Sequence, residues 1–312
     1  MGTPAELIGV VTGFAVIGVA ILVGYVLART GVLGEGAHLA LNRVSFYAAT
    51  PALVFTVLSG SDLSLIVSPH MAIAVLSFVI AALAFFAVSR FVFRSNRGDT
   101  IVGMVSSGFS NNNNIGLPLT LYVLGDVHYA AIVMLMQSVL VTPAFLGALS
   151  HASGERGTAR AVLLGLVSNP IIIAAALGLT VAAGGVALPS PVTAPIELIS
   201  TAAIPLVLIA FGVSLPGQGG LRGGGSLGPA LVASGIKVVL MPAVAFLLGR
   251  FVFGLDGLPL LAAVLIGALP TGQMVFSYAA RYGVGVALAR NVVLITTIAC
   301  VPVVVAIALL LG

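Results

Sequence analysis

The stretch Ser110-Asn111-Asn112-Asn113-Asn114-Ile115-Gly116-Leu117-Pro118 sets four consecutive amides, a glycine and a proline inside an otherwise apolar segment of membrane length. Hydrocarbon offers those polar groups no partner. Pro118 also removes a backbone donor, and its ring clashes with the preceding turn. At membrane depth such a sequence is stable only where protein packs around it or where it lines a cavity. It therefore predicts a helix broken around a binding site.

The rest of the chain supplies the membrane setting. Sixty per cent of its 312 residues are hydrophobic and only 6% are charged, with a mean hydropathy of +1.25, which excludes a soluble domain. The isoelectric point near 9.6 and net charge of +4 do not point to nucleic acid, because the 12 basic residues sit mostly at the ends of apolar segments. There they read as topology-setting charge facing anionic lipid. The single cysteine, Cys300, excludes an internal disulfide and a cysteine zinc site, and its place in the last apolar segment reads as packing. Met1 to Glu6 lacks the basic region of a signal peptide, so the apolar stretch that follows is read as the first span.

At about 20 apolar residues per crossing, ten spans are predicted at about 6–29, 38–58, 69–93, 100–124, 128–150, 160–184, 192–215, 227–252, 258–281 and 286–311. They are numbered 1 to 10 in that order. The connections are short and rich in Gly, Asp, Ser and Pro, and none leaves room for a soluble domain.

Charge sorts by side. Loops after odd-numbered spans hold or adjoin Arg29, Arg43, Arg90, Arg94, Arg97, Arg156, Arg160, Arg222, Arg281 and Arg290. The opposite side has Arg250 alone, together with Glu6, Asp62, Asp126, Glu197 and Asp256. The excess puts the first side in the cytoplasm and both termini outside it.

Five spans followed by five invite a comparison of halves. Span 2 carries Ser45-Phe-Tyr-Ala-Ala-Thr-Pro51 before an aliphatic run, and span 7 carries Ser200-Thr-Ala-Ala-Ile-Pro205 before another. Span 4 is interrupted over Asn111 to Pro118, and its counterpart, span 9, over Gly267-Ala-Leu-Pro270-Thr-Gly-Gln-Met274. An odd number of spans per half makes the repeats antiparallel across the membrane, and paired interruptions are the sequence mark of a transporter site. The fold class expected is thus an all-α polytopic membrane protein, a 5+5 inverted repeat with two crossing broken helices.

The motif from Ser110 to Pro118 resembles the fourth-helix crossover of the auxin efflux carrier family, which includes plant PIN-type carriers and bacterial organic-anion permeases. Asn169-Pro170, Lys237 with Pro242, Leu269-Pro270-Thr-Gly-Gln273, Ala279-Ala-Arg-Tyr-Gly283, and Thr296-Thr297 with Pro302 extend the resemblance along the chain. It implies a fold related to sodium/proton antiporters and bile-acid symporters, and usually a homodimer. Spans 1, 2, 6 and 7 (about 6–58 and 160–215) would form a scaffold, and spans 3–5 and 8–10 (about 69–150 and 227–311) a mobile transport part, within one unit spanning 1–312. Plant members carry a long cytoplasmic loop between spans 5 and 6, where this chain has only residues 151–159, so kinase control through that loop is not expected.

Breaking a helix exposes unpaired N–H groups at the start of its second half and unpaired C=O groups at the end of its first. Two such breaks crossing near the midplane direct two positive helix ends at one cavity, which suits a carboxylate. Asn111, Asn112, Asn113 and Asn114 are candidate ligands, with Thr271 and Gln273 from the other break and Thr50 from span 2. Some of the amides must cap the broken helix instead. Gly116, Pro118, Pro270 and Gly272 would shape the breaks, and Pro51 and Pro205 would kink the scaffold helices.

Lys237 is the sole lysine and lies near the centre of span 8, where an ionisable group is costly. Three roles are open to it: replacing a sodium ion at the crossover carbonyls, attracting the substrate anion, or carrying a proton. The first is the leading expectation. Neither break contains Asp or Glu, which disfavours obligatory sodium coupling. Gln137, Ser138 and Asn291 are isolated polar residues at membrane depth and are read as interhelical bonds.

The expected function is a secondary transporter, an efflux carrier for a small organic anion such as an auxin-like compound or a dicarboxylate, working by elevator-type alternating access. A sodium- or proton-coupled carboxylate symporter is the alternative, and an ion channel a weaker one, since no charged ring or carbonyl filter is visible. An enzyme is not expected, because His38, His70, His128 and His151 fall at span ends or loops and no catalytic or metal spacing lies within a span. No cofactor, metal or nucleic-acid partner is expected. The partners are substrate, membrane lipid and a second copy, and the location a bacterial inner membrane.

Overall fold

The computed structural model describes residues 4–34, 36–61, 68–154, 164–165, 167–217 and 227–312. The charges assigned to Asp62, Arg156, Arg160 and Arg222, most of the residues between spans 5 and 6, and the side chain of Glu6 lie outside the described residues. Within them the chain is helical, and its sole β feature is an isolated antiparallel bridge between Ser110 and Thr271.

Six of the predicted segments are helices long and apolar enough to cross a membrane: Ala37–Ser59, Pro69–Phe93, His128–Ser153, Ser190–Ser214, Leu227–Val252 and Val286–Leu311. Ala15–Arg29, Pro170–Gly184 and Gly257–Ala268 are shorter apolar helices. The two segments expected to break are both divided. Span 4 consists of Arg97–Ser106 and a second half from Asn112 to Leu124, and span 9 of Gly257–Ala268 and Gln273–Tyr282.

Proline leaves a regular imprint on the long helices. The residue before each of Pro51, Pro118, Pro143 and Pro242 donates its N–H five residues back rather than four: Thr50 to Ser45, Leu117 to Asn112, Thr142 to Gln137 and Met241 to Ile236. The ring of a helical proline collides with the carbonyl four residues earlier. A turn widened by one residue relieves that collision while its last N–H stays bonded. Near Pro205 the helix is interrupted at Ala202, between Ser190–Thr201 and Ala203–Ser214. Both prolines expected to disturb the scaffold helices therefore sit beside an irregular turn.

Close backbone approach fixes the helix pairs. A Cβ on Gly212 would stand 2.1 Å from the Ile21 carbonyl oxygen, and one on Gly24 would stand 2.2 Å from that of Ile209. Spans 1 and 7 thus touch through two glycines, the small-residue contact by which helices associate in lipid. The helix Gly257–Ala268 is buried continuously from Leu260 to Ala268. An apolar sequence on every face of a helix is what central burial requires.

Candidate functional site

The two breaks meet. The Asn111 N–H donates to the Pro270 carbonyl at 2.8 Å, and the Gly272 N–H donates to the Phe109 carbonyl at 3.0 Å. This short antiparallel pairing uses backbone groups that neither broken helix can satisfy internally. The unwound part of span 4 covers 107–111, earlier than the Asn111–Pro118 interval of the sequence reading. Helix resumes at Asn112 because the Asn111 carboxamide oxygen accepts from the Asn114 N–H at 3.3 Å, an N-cap. Pro118 lies inside the second half, after a widened turn, whereas Pro270 lies in the break itself.

Both crossover glycines are needed for this approach. A Cβ on Gly116 would meet the Asn112 Oδ1 at 2.9 Å and Leu269 Cδ1 at 3.0 Å, and one on Gly272 would meet the Phe109 ring at 2.9 Å. Neighbouring helices lock the pairing. Ser110 Oγ donates to the Ile266 carbonyl (3.2 Å), and Thr271 Oγ1 donates to the Ser106 carbonyl (2.7 Å). Thr296 Oγ1 accepts from the Thr271 N–H at 3.0 Å. In the orientation that satisfies both ends of its amide, Gln137 accepts from the Ser110 N–H (2.7 Å) and donates to the Ser110 carbonyl (3.0 Å).

Beside the pairing lies a cavity of about 400 Å3. Asn111, Asn112, Asn113 and Asn114 all line it, as do Gly272 and Gln273. Both second half-helices therefore start at its wall. Of their first N–H groups, Asn112 donates to the Ser110 carbonyl, Asn114 to its cap and Val275 to the Gly272 carbonyl. Those of Asn113, Gln273 and Met274 keep no backbone partner, as expected of a first helical turn. The Nδ2 of Asn111, on a side chain only 5% exposed, also has no hydrogen-bond partner. A buried donor left unpaired costs about 1–3 kcal/mol unless a ligand or water meets it.

The other predicted residues divide into two sets. Thr50 and Thr271 are fully buried and lie outside the cavity wall. Thr50 Oγ1 donates to the Asn113 carboxamide oxygen at 3.2 Å, tying span 2 to the crossover, while Asn113 Nδ2 donates to Asn114 Oδ1 at 2.9 Å. Gln273 reaches Ser214 Oγ of span 7 at 3.5 Å. Pro51 and Pro205 do not line the cavity. Lys237 is fully buried, and its Nζ donates to the Gly267 carbonyl at 2.7 Å and to Met241 Sδ at 3.2 Å. Gly267 is in the last turn of Gly257–Ala268, so the ammonium stands at the negative end of that half-helix.

The cavity also draws on residues that sequence reasoning placed elsewhere. His38, Asn42, Arg43, Phe46 and Tyr47 line it from the start of span 2, Asn169 from within span 6 as the N-cap of Pro170–Gly184, and Gln137, Ser138 and Thr142 from span 5. Arg43 reads in the sequence as topology-setting charge; Gln137, read there as an interhelical bond, makes that bond to Ser110 and lines the cavity as well. The spacing of His38, Asn42 and Arg43 on an otherwise apolar span is the signal that could have exposed them. Among the described residues no Asp or Glu lines the cavity.

These features define a helical membrane protein with a polar cavity at the meeting point of two broken helices. The chain belongs to the family described as membrane transport proteins, whose pattern matches residues 10–308, and this is the auxin efflux carrier family that the crossover motifs resemble. It is 28% identical over 286 residues to an uncharacterized transporter of Methanothermobacter thermautotrophicus, covering 90% of this chain and 91% of that one. It is 27% identical over 305 residues to a protein of Rhizobium meliloti named provisionally as a malonate transporter, covering 94% and 92%.

Proposed function

We propose that this transporter is a uniport-type secondary carrier exporting a small organic anion, with the carboxylate held by Asn111 to Asn114 at the crossover. The observation that carries this reading is the 400 Å3 cavity, walled by four amides and two helix N-termini, with an unpartnered buried donor and no acidic side chain among the described residues. Positive helix ends and amide donors favour an anion, and a cation would meet no carboxylate there. The provisional malonate assignment of the Rhizobium meliloti relative supports a small carboxylate.

In this reading the chain crosses the membrane ten times as an inverted repeat, with both termini outside the cytoplasm of a bacterial cell. The scaffold comprises about 6–58 and 160–215, the moving part about 69–150 and 227–311, and two copies associate. Apart from the crossover and mid-span residues such as Gln137, Ser138, Thr142 and Asn169, the cavity wall comes from the end of span 2 that the arginine distribution assigns to the cytoplasm, His38 to Tyr47. The conformation is then inward-facing, open to cytoplasmic anion. Lys237 holds the carbonyl end of the second broken helix in place of a metal cation, which removes the need for a coupled sodium ion. Efflux of an anion from a negative interior needs no other driving force.

The test is electrical. The protein reconstituted in liposomes should give a saturable current on addition of a carboxylate panel, without sodium and without a proton gradient. Asn112→Ala/Asn113→Ala should abolish it. Strict dependence on either gradient would instead establish coupled symport, and current surviving in the double variant would remove the amides from the site.

A further inference from the structure

Resting on the reading of the cavity as the substrate site, we infer that it holds a second anion subsite at Arg43, with His38 and Asn42 on the same wall, which takes the distal carboxylate of a short dicarboxylate. Arg43, His38 and Asn42 line the same cavity as the four crossover asparagines. The Asn42 Nδ2 lies 2.8 Å from His38 Nε2 and donates to the His38 carbonyl at 2.9 Å, so the neighbouring amide is fixed within its own helix. Arg43 makes no ion pair among the described residues, and no acid there shares the cavity wall with it. Arg43 is exposed, so with no internal counter-charge its guanidinium is available to an external anion in the cavity, and its planar fork favours a carboxylate.

The cavity wall offers two separate sets of donors, the guanidinium and the crossover amides. Thr50, which contacts Asn113 at 3.2 Å, stands seven residues after Arg43 on span 2. Those seven residues include the widened turn Ser45–Ala49, so the two positions stand about 10 Å apart along the axis on different faces, Thr50 buried and Arg43 exposed at the cavity wall. One carboxylate on the crossover amides leaves the guanidinium unused. A ligand carrying a second carboxylate a few bonds away engages both.

The experiment is equilibrium binding of radiolabelled malonate to the full-length protein in nanodiscs, with succinate, acetate and propionate as competitors. The wild type should prefer dicarboxylates to monocarboxylates. Arg43→Gln should lower malonate affinity by about 10- to 100-fold, the range of a lost charge-assisted hydrogen bond, and bring the malonate-to-acetate ratio near one. Arg43→Lys should keep most of the preference, which excludes misfolding as the cause. Equal wild-type affinity for both classes, or an Arg43→Gln protein that keeps the wild-type ratio, would overturn the subsite. Asn112→Ala/Asn113→Ala separates the two claims. Loss of both ligand classes supports the crossover site, whereas retained binding that still depends on Arg43 would refute the crossover reading and leave the arginine subsite standing.

Discussion

Replacing Lys237 by methionine separates the energetics of the fold from those of the site. The side chain is fully buried and its Nζ donates at 2.7 Å to the carbonyl of Gly267, in the last turn of a half-helix whose final carbonyls have no intrahelical partner. Methionine conserves the volume and removes the charge. The orphaned carbonyl then costs about 1–3 kcal/mol. Against this, the ammonium no longer has to be desolvated, a penalty of several kcal/mol per buried ion. The two effects oppose, so the thermal midpoint of Lys237→Met in detergent should equal or exceed that of the wild type. Transport responds differently, because the half-helix end loses the cation that anchors it. A charge-assisted bond of about 1.5–3 kcal/mol corresponds to a fall in flux on the order of 10- to 100-fold. Lys237→Ser leaves room for a small cation in the vacated volume, and ammonium or sodium should restore part of its flux. Liposome flux and thermal unfolding, measured on the same preparations, check the pair of expectations. Wild-type flux in Lys237→Met would refute the anchoring role. A wild-type flux that follows the proton gradient and loses only that dependence in the variant would make the lysine a proton carrier.

Gly212→Ala puts a methyl 2.1 Å from the Ile21 carbonyl oxygen, so spans 1 and 7 must separate, and a loss of about 1–3 kcal/mol should appear as a lower unfolding midpoint. Gln137→Leu leaves the Ser110 N–H without its side-chain partner, at about 1–3 kcal/mol, while the Ser110 carbonyl keeps the Asn112 N–H, and should impair transport more than the same change at exposed Val139. In a Cys300→Ala background, Asn42→Cys should react with an impermeant maleimide from the cytoplasmic side and Asp126→Cys from the other; the reverse pattern would invert the proposed orientation.

Much of this architecture can be read from one-dimensional signals because the membrane leaves few alternatives. Apolar length located helices such as Pro69–Phe93 and Leu227–Val252 at the predicted bounds, since a crossing needs a set number of residues. The interruptions at Asn111 and Pro270 were legible because amides and proline have no other stable use at that depth. The extent of the break was not. Asn111 caps the second half of span 4 and lets helix resume at once, and which of four adjacent amides would act as the cap depends on the backbone torsions of the break. The widened turns before Pro51, Pro118, Pro143 and Pro242 were equally hidden, although the proline positions themselves mark them.

The composition of the cavity wall was the hardest part to foresee, because it depends on which helices come together. Thr271 and Gln273 are two residues apart in the same break, yet Thr271 turns to Ser106 in the packed interior while Gln273 faces the cavity. Only the register of the Ser110–Thr271 bridge decides between them. Arg43 shows the converse. Counted along the sequence it is one of ten arginines on the side read as cytoplasmic, and that reading needs nothing more of it. In the fold the start of span 2 faces the crossover, so a guanidinium that the sequence assigns to topology also borders the cavity. A charge placed for insertion is thereby in position to meet an anion, and one residue answers to both constraints.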